Sequence, residues 1–453
     1  MTRTQNHRRH HLDLLLRRLR PHLSRTGWST LEAIVNPILS VAVSPVLLGR
    51  LDGRGFGLWA FAVAIAGFGG LASLSVGVAT TKFVAEDHAS GRPQDAVETT
   101  RAALSVALSG GLLLLLLGVA FGPLLAGTAF VRMGEAGEVS NALLLGIALL
   151  ALQEIDSVFT GALRGTQRFD LAAQVEITAR FVWLTAVIGT AWLTRNAVDT
   201  LVASVVVGML KVIVKGLAAK SALNGPCMVP SRTLAQILRV VRLGKWLWVQ
   251  GLGGLLFSVG DRLTVGALFG AADLARYSIC MQLAQLVHGV QATALQPLVP
   301  WISARVASRK PTSAKTLKRI AILGGFACMV VPLVLIAFVN TFLSLWIGAE
   351  FAKDNSGIAR ILLAAYGLLA FNIPIHYLLL GLGSVRFLAA ANILAGIVSL
   401  GASVAMSPWG FTHFVLGKLF FAPLILLNFV ALRKSVQPGA ASLSDRLSGD
   451  HSR

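Results

Sequence analysis

The sequence is poor in charge for its length. Asp, Glu, Lys and Arg make up only 13% of its 453 residues, while 55% are hydrophobic. Soluble domains carry about 25% charged residues, because their surface must face water. This shortage excludes a soluble globular fold and predicts that the bilayer is the solvent for most of the chain.

Cysteine is scarce, and sequence motifs of enzymes are missing. The three cysteines, Cys227, Cys280 and Cys328, are widely spaced and show no CxxC pair. They therefore predict neither a disulfide framework nor a metal cluster. The chain also lacks a Walker-type loop, an HExxH helix and a GxSxG elbow. We therefore expect a protein that is not an enzyme, holds no cofactor or metal, and does not use ATP.

What the sequence does have is a succession of long hydrophobic runs. About 20 apolar residues span a bilayer as a helix. The runs predict an all-α polytopic membrane protein with about twelve transmembrane helices in two six-helix lobes related by an internal repeat. The predicted spans are 27–49, 56–79, 100–126, 139–163, 171–194, 198–219, 246–269, 274–301, 319–347, 358–381, 386–406 and 411–432.

The net charge of +20 does not indicate nucleic-acid binding, because the basic residues lie between hydrophobic runs. Most of them fall in segments on the same side as the N-terminus, which the positive-inside rule assigns to the cytoplasm, together with the C-terminus. The predicted divisions are a basic N-terminal segment (1–26), an N-lobe (27–219), a cytoplasmic linker (220–245), a C-lobe (246–434) and a cytoplasmic tail (435–453).

The two lobes are expected to be repeats. The sequence around the end of the fourth span, Gly165 to Phe169, matches that around the end of the tenth, Gly383 to Phe387, 218 residues later. Six spans per repeat give both halves the same orientation, and such parallel repeats are typical of alternating-access transporters.

Charged residues inside predicted spans are the main candidates for function, because each costs several kcal/mol to insert. Glu176 and Arg180 are four residues apart, which favours an intrahelical ion pair. Lys211 and Lys215 share a helical face and need an anion. Glu154 and Asp156 of the fourth span are one possible source of it, and an anionic substrate is the other.

The second half carries a similar set. Asp261 and Arg262 are adjacent, so they point in different directions and at least one is expected to face a cavity or a partner. Lys418 lies near the outer end of the last span, where its side chain can snorkel to the headgroups. The acids Asp261, Asp156 and Glu154 are the candidates for coupling to an H⁺ or Na⁺ gradient.

A polar stripe on the eighth span includes Gln285, His288 and Gln291. Polar side chains on membrane helices face protein or water. The stripe therefore predicts either contacts to a sugar or hydrogen bonds between helices, and the sequence leaves both open.

The chain resembles the polysaccharide (O-antigen, Wzx-type) flippases of the multidrug/oligosaccharidyl-lipid/polysaccharide exporter superfamily. The resemblance is carried by five segments in order. They are Pro45–Trp59 (PVLLGRLDGRGFGLW), Leu71–Gly77 (LASLSVG), Lys82–Glu86 (KFVAE), Gly161–Phe169 (GALRGTQRF) and Asp261–Gly266 (DRLTVG).

The resemblance implies a flippase that moves polyprenyl-diphosphate-linked oligosaccharide across the bacterial inner membrane by alternating access through a central cationic cavity. Such a cavity would draw on Arg180, Lys211, Lys215 and Arg262 to bind the diphosphate. Membrane lipids, a polysaccharide polymerase and a chain-length regulator are the other implied partners. The alternative is an ion-coupled small-molecule or drug exporter of the multidrug and toxin extrusion type, for which a basic intramembrane surplus is less suitable.

Overall fold

A computed structural model describes residues 3–308 and 313–435. For residues 3–27, 29–34, 36–37, 69–75, 246–253, 307 and 435 only the backbone is described. This part of the chain is mostly helical and contains no strand. The predicted tail lies outside the described residues, except for Ser435.

The first helix, α1, runs Arg3–Ala89 and covers the first two predicted spans. It breaks at Asp52, whose φ of 60° and ψ of −178° are not helical. The Asp52 carboxylate then accepts a hydrogen bond of 2.7 Å from the Gly55 amide. The break therefore divides one long helix into two spans, with Asp52 acting as the N-cap of the second.

The remaining ten predicted spans also lie in helices, which confirms the fold class. The helices of the first half are α2 (Pro93–Gly127), α3 (Ala136–Gly165), α4 (Phe169–Thr194) and α5 (Ala197–Leu223). Those of the second half are α6 (Leu234–Leu255), α7 (Asp261–Phe269), α8 (Ala271–Leu295), α9 (Leu298–Ala307), α10 (Ala314–Trp346), α11 (Ala349–Gly381), α12 (Val385–Met406), α13 (Phe411–Leu416) and α14 (Pro423–Ser435). Eight helices in the described part are long and apolar enough to cross a membrane.

The helices form two compact units, residues 1–249 and 250–453. The boundary falls within α6, which begins at Leu234. The second half of the predicted linker is therefore helix rather than loop. The first half packs on unit 1, where Arg101 Nε donates to the Val229 carbonyl at 3.1 Å and Ser105 Oγ donates to the Ser231 carbonyl at 2.7 Å.

The ends of α3 and α11 repeat the same turn. The Arg168 amide donates to the Leu163 carbonyl, and the Ser384 amide donates to the Leu379 carbonyl. The matching positions are 216 residues apart, so the predicted register of 218 is wrong by two residues at this turn. The sequence match misled because Gly165 ends α3, whereas Gly383 lies two residues beyond the end of α11.

The glycines that end these helices allow a close approach. A Cβ on Gly165 would lie 2.8 Å from Val84, and one on Gly381 would lie 2.7 Å from Ile302. In each half, a glycine at the end of the fourth span therefore allows close packing against the second span.

Candidate functional site

Unit 1 contains a four-charge cluster formed by Asp156, Glu176, Lys211 and Lys215. Lys215 Nζ lies 2.9 Å from Asp156 Oδ2 and 2.6 Å from Glu176 Oε2. Lys211 Nζ lies 3.3 Å from the same Asp156 oxygen and 3.4 Å from Glu176. Two ammonium groups therefore meet two carboxylates, and their formal charges cancel.

Three helices bring this cluster together. Asp156 comes from α3, Glu176 from α4, and the lysines from successive turns of α5. Thr160, one turn after Asp156, accepts a further hydrogen bond from Lys215 Nζ at 2.9 Å. Lys215 is 1% exposed, so its charge depends on these partners rather than on water.

The cluster corrects two expectations about pairing. Glu176 contacts the lysines, and no ion pair with Arg180 is found among the described residues. Asp156 does supply an anion to the lysines, as one interpretation of the sequence required. Glu154 does not, since its buried Oε1 has no hydrogen-bond partner in the described structure.

Arg180 lies outside the cluster and contacts neutral groups. Its Nη2 donates to the Ser40 hydroxyl, and its guanidinium carbon lies 4.5 Å from the centre of the Trp183 ring. The buried Nε has no hydrogen-bond partner in the part of unit 1 that is described. Arg180 therefore forms no ion pair with a carboxylate among the described residues.

Unit 2 contains a second buried ion pair, between Lys418 and Asp261. The Asp261 carboxylate also accepts a hydrogen bond from the Tyr277 hydroxyl. Lys418 Nζ donates to the Phe257 carbonyl at 2.6 Å, in the π-helical segment Leu256–Gly260, where the normal pairing of carbonyls is interrupted. Lys418 is 3% exposed, so the expectation that it snorkels is wrong: a buried carboxylate holds it inside.

Arg262 again contacts only neutral side chains. Its Nη2 donates to Gln285 Oε1 at 2.7 Å, and Gln285 Nε2 donates to the Tyr366 hydroxyl at 3.3 Å. Its buried Nε has no partner within the described residues. Asp261 forms its ion pair with Lys418 rather than with Arg262.

The polar stripe of α8 divides into three environments. Gln285 positions Arg262, and Gln291 Nε2 donates to the Cys328 carbonyl at 2.7 Å, which is a bond between helices. His288 alone lines a cavity of about 260 Å³ inside unit 2. The wall of this cavity also contains the polar residues Asn372, His376, Tyr377 and Asn392.

Sequence reasoning missed several of these groups. Tyr277 and Tyr366 were not predicted, although the chain has only three tyrosines and all lie in unit 2. The rarity of this residue was a usable signal. Thr160 and Ser40 gave no such signal in the sequence, because hydroxyl residues are common in membrane helices. No group of side chains in the described part could hold a metal ion.

The comparisons with known proteins agree with this architecture. A solved multidrug resistance MATE family transporter of the MOP superfamily, in an inward-facing conformation, shares 15% identity with a TM-score of 0.65, over 91% of this chain and 98% of that one. A variant of the Vibrio cholerae MATE transporter VcmN shares 14% identity with a TM-score of 0.59, over 91% and 98%. At such identities the likeness shows the fold alone.

Sequence comparison identifies the family. No curated protein sequence matches this chain. The family model described as polysaccharide biosynthesis protein matches residues 23–305, more than half of the chain. The chain is a multi-pass membrane protein with two helical units of MATE-like fold and several apolar spans, and it belongs to the polysaccharide biosynthesis protein family.

Proposed function

We propose that this protein is a flippase that moves polyprenyl-diphosphate-linked oligosaccharide from the cytoplasmic to the outer leaflet of the bacterial inner membrane by alternating access. Both termini then lie in the cytoplasm, and a polymerase and a chain-length regulator use the exported units. Family membership and the transporter fold support this proposal. The observation on which it mainly depends is that two arginines inside predicted spans lack a carboxylate partner in the described structure.

Each unit holds a partly buried arginine inside a predicted span that forms no ion pair with a carboxylate of the described structure. Arg180 and Arg262 are held by a hydroxyl and a carboxamide, and each has a buried Nε without a partner. A guanidinium binds phosphate oxygens in pairs, and an anion in a low-dielectric setting needs such charge-assisted bonds. A diphosphate is the anion that this substrate class carries.

The same pattern argues against an exporter of organic cations. A cation site needs unpaired carboxylates or a ring of aromatic groups. Here Asp156 and Asp261 are each paired with lysine. Of the predicted coupling acids this leaves Glu154 alone without a described basic partner, against the two arginines Arg180 and Arg262. The prediction that Lys211 and Lys215 bind substrate directly stays a prediction, since both contact carboxylates.

Coupling to a proton gradient is assigned to Glu154. Of the three predicted coupling acids, only Glu154 has no described basic partner, and its Oε1 is buried without a hydrogen bond. A carboxyl in this setting can take up and release a proton without breaking an ion pair. We expect Glu154→Gln to reduce the dependence of transport on the proton gradient, while Asp261→Asn acts mainly on folding.

The test is to locate lipid-linked oligosaccharide in cells that lack this protein, using a glycosidase added outside as the probe of leaflet. Intact units that face the cytoplasm should accumulate. Wild-type protein and Arg232→Gln, an arginine exposed on the linker, should relieve the accumulation. Arg180→Gln and Arg262→Gln should not, although both insert normally.

Two results would count against the proposal. Normal export in the absence of the protein, with no second flippase present, would favour the small-molecule exporter. Full activity of a variant that carries both Arg180→Gln and Arg262→Gln would show that these arginines do not bind the diphosphate.

A further inference from the structure

The cavity in unit 2 has an unusual wall. Five polar side chains line it, and none of its lining residues is Asp, Glu, Lys or Arg. The polar residues are His288 on α8, Asn372, His376 and Tyr377 on α11, and Asn392 on α12. The cavity therefore presents hydrogen-bonding groups without charge, inside helices that a bilayer surrounds.

Most of this hydrogen-bonding capacity is unused. Asn372 is 3% exposed and accepts a bond of 3.1 Å from Asn428 Nδ2, but its own amide nitrogen donates to no described group. His288 Nδ1 is buried without a partner in the described structure. Buried polar groups are normally satisfied, so their presence around an open space indicates a ligand or water that completes them.

The chemistry of the wall selects the ligand. Neutral imidazole, carboxamide and phenol groups each donate and accept hydrogen bonds, as sugar hydroxyl and acetamido groups do. A phosphate would find no cation in this wall, and an organic cation would find no carboxylate. The Phe257 and Phe421 rings, whose centres are 5.1 Å apart, add an apolar surface suited to the C–H face of a pyranose ring.

The size of the cavity limits what it holds. About 260 Å³ is less than the roughly 300–1,000 Å³ of pockets for drug-sized ligands. The space suits one monosaccharide, and the rest of a repeat unit would extend out of it. Recognition here therefore concerns a single sugar residue.

We propose that this cavity is a subsite for one uncharged sugar residue of the lipid-linked oligosaccharide, formed by residues other than the arginines that bind the diphosphate. The subsite rests on the proposed function. In the proposed orientation the cytoplasmic ends of α11 and α12 are Gly381 and Val385. The four polar residues on these two helices lie within about three turns of those ends, so the subsite acts when substrate is loaded from the cytoplasm.

The experiment measures binding to the purified full-length protein. Methyl N-acetylglucosaminide and methyl glucoside probe the cavity, and inorganic diphosphate probes the arginines, each titrated by saturation-transfer NMR. Asn372→Leu and Asn392→Leu place an apolar side chain of similar size in the wall. Asn355→Leu is the matched control, because Asn355 is a buried asparagine of the same helix that does not line the cavity.

The wild type and the control should bind at least one glycoside, and each cavity variant should bind it about tenfold more weakly, the effect of one lost hydrogen bond. Diphosphate binding should be unchanged in all of them, which shows that the variants are folded. Equal glycoside binding in cavity variants and wild type, or binding of neutral apolar compounds but no glycoside, would overturn the subsite. Glycoside binding without diphosphate binding would instead count against the flippase proposal alone.

Discussion

Five basic residues lie deep in the predicted spans, and their surroundings divide them into two kinds. Lys211, Lys215 and Lys418 contact carboxylates, whereas the side chains of Arg180 and Arg262 contact neutral groups. Lysine is a compact charge that a carboxylate cancels well, while the planar guanidinium keeps further donors available for a second partner. The two residue types therefore have different roles in this chain.

We expect the lysines of the four-charge cluster to be needed only as partners of its two acids, and a set of variants can test this. Lys211→Met with Lys215→Met should leave little folded protein, since a buried charge that loses its partner costs about 3–5 kcal/mol. Adding Asp156→Asn and Glu176→Gln should restore folded protein and also transport, as judged by the yield of monodisperse protein and by the leaflet assay. A well-folded but inactive quadruple variant would support direct substrate binding by the lysines.

The Lys418–Asp261 pair makes a similar prediction in unit 2. Lys418→Met leaves the Asp261 carboxylate buried beside Tyr277 and should lower the free energy of unfolding by about 3–5 kcal/mol. Lys418→Met with Asp261→Leu should recover most of that loss. Thermal unfolding in detergent measures both, and equal melting temperatures for the single variant and the wild type would show that Lys418 reaches water.

The sequence was sufficient to find the buried charges and insufficient to pair them. Spacing along one helix favoured a Glu176–Arg180 pair, but the observed partners of Glu176 come from α5. Which faces of neighbouring helices meet depends on packing between them, and a single sequence does not encode that in its spacing.

At the scale of elements, the corner between the first two spans of each half repeats the same backbone. Asp52 has φ 60° and ψ −178°, and Gly270, between α7 and α8, has φ 88° and ψ −174°. Only glycine adopts this region without strain of about 1–3 kcal/mol. The second half therefore forms this corner at lower cost than the first.

Asp52→Gly should accordingly stabilise the protein by about 1 kcal/mol, because the relief of strain exceeds the small loss of the cap to Gly55. Gly270→Asp is the reciprocal variant and should destabilise it by a similar amount. Melting temperatures in detergent test the pair. A lower melting temperature for Asp52→Gly would mean that the cap outweighs the strain.

All twelve predicted spans lie in helices, but hydropathy did not predict two local features. One is the π-helical segment Leu256–Gly260, in which the Phe257 carbonyl accepts a hydrogen bond from Lys418, a residue distant in the sequence. The start of α6 at Leu234 was missed because its basic residues make it too polar for a span. Its leucine and valine residues recur with helical spacing, so that signal was present.

The whole molecule offers a direct test of orientation, since its own cysteines are poorly reactive. Cys227, Cys280 and Cys328 are all buried, and burial raises the pKa of the Cys227 thiol in the linker, which leaves less thiolate to react near neutral pH. The wild type should therefore take up little maleimide.

Against that background, Glu350→Cys should react with an impermeant maleimide on intact cells, and Arg232→Cys should react only after permeabilisation. Both positions are exposed, at the start of α11 and in the linker. The reverse pattern of labelling would place both termini outside and overturn the proposed direction of loading.

The four-charge cluster also has a consequence for how the chain is made. Asp156 and Glu176 are synthesised before Lys211 and Lys215, so two carboxylates enter the membrane before α5 arrives with the cations that match them. Until α5 is inserted, these two carboxylates have no lysine partners. A nascent chain stopped before α5 therefore holds two intramembrane carboxylates without the lysines that neutralise them in the finished protein, and the cost of that unmatched charge is relieved only when α5 is inserted.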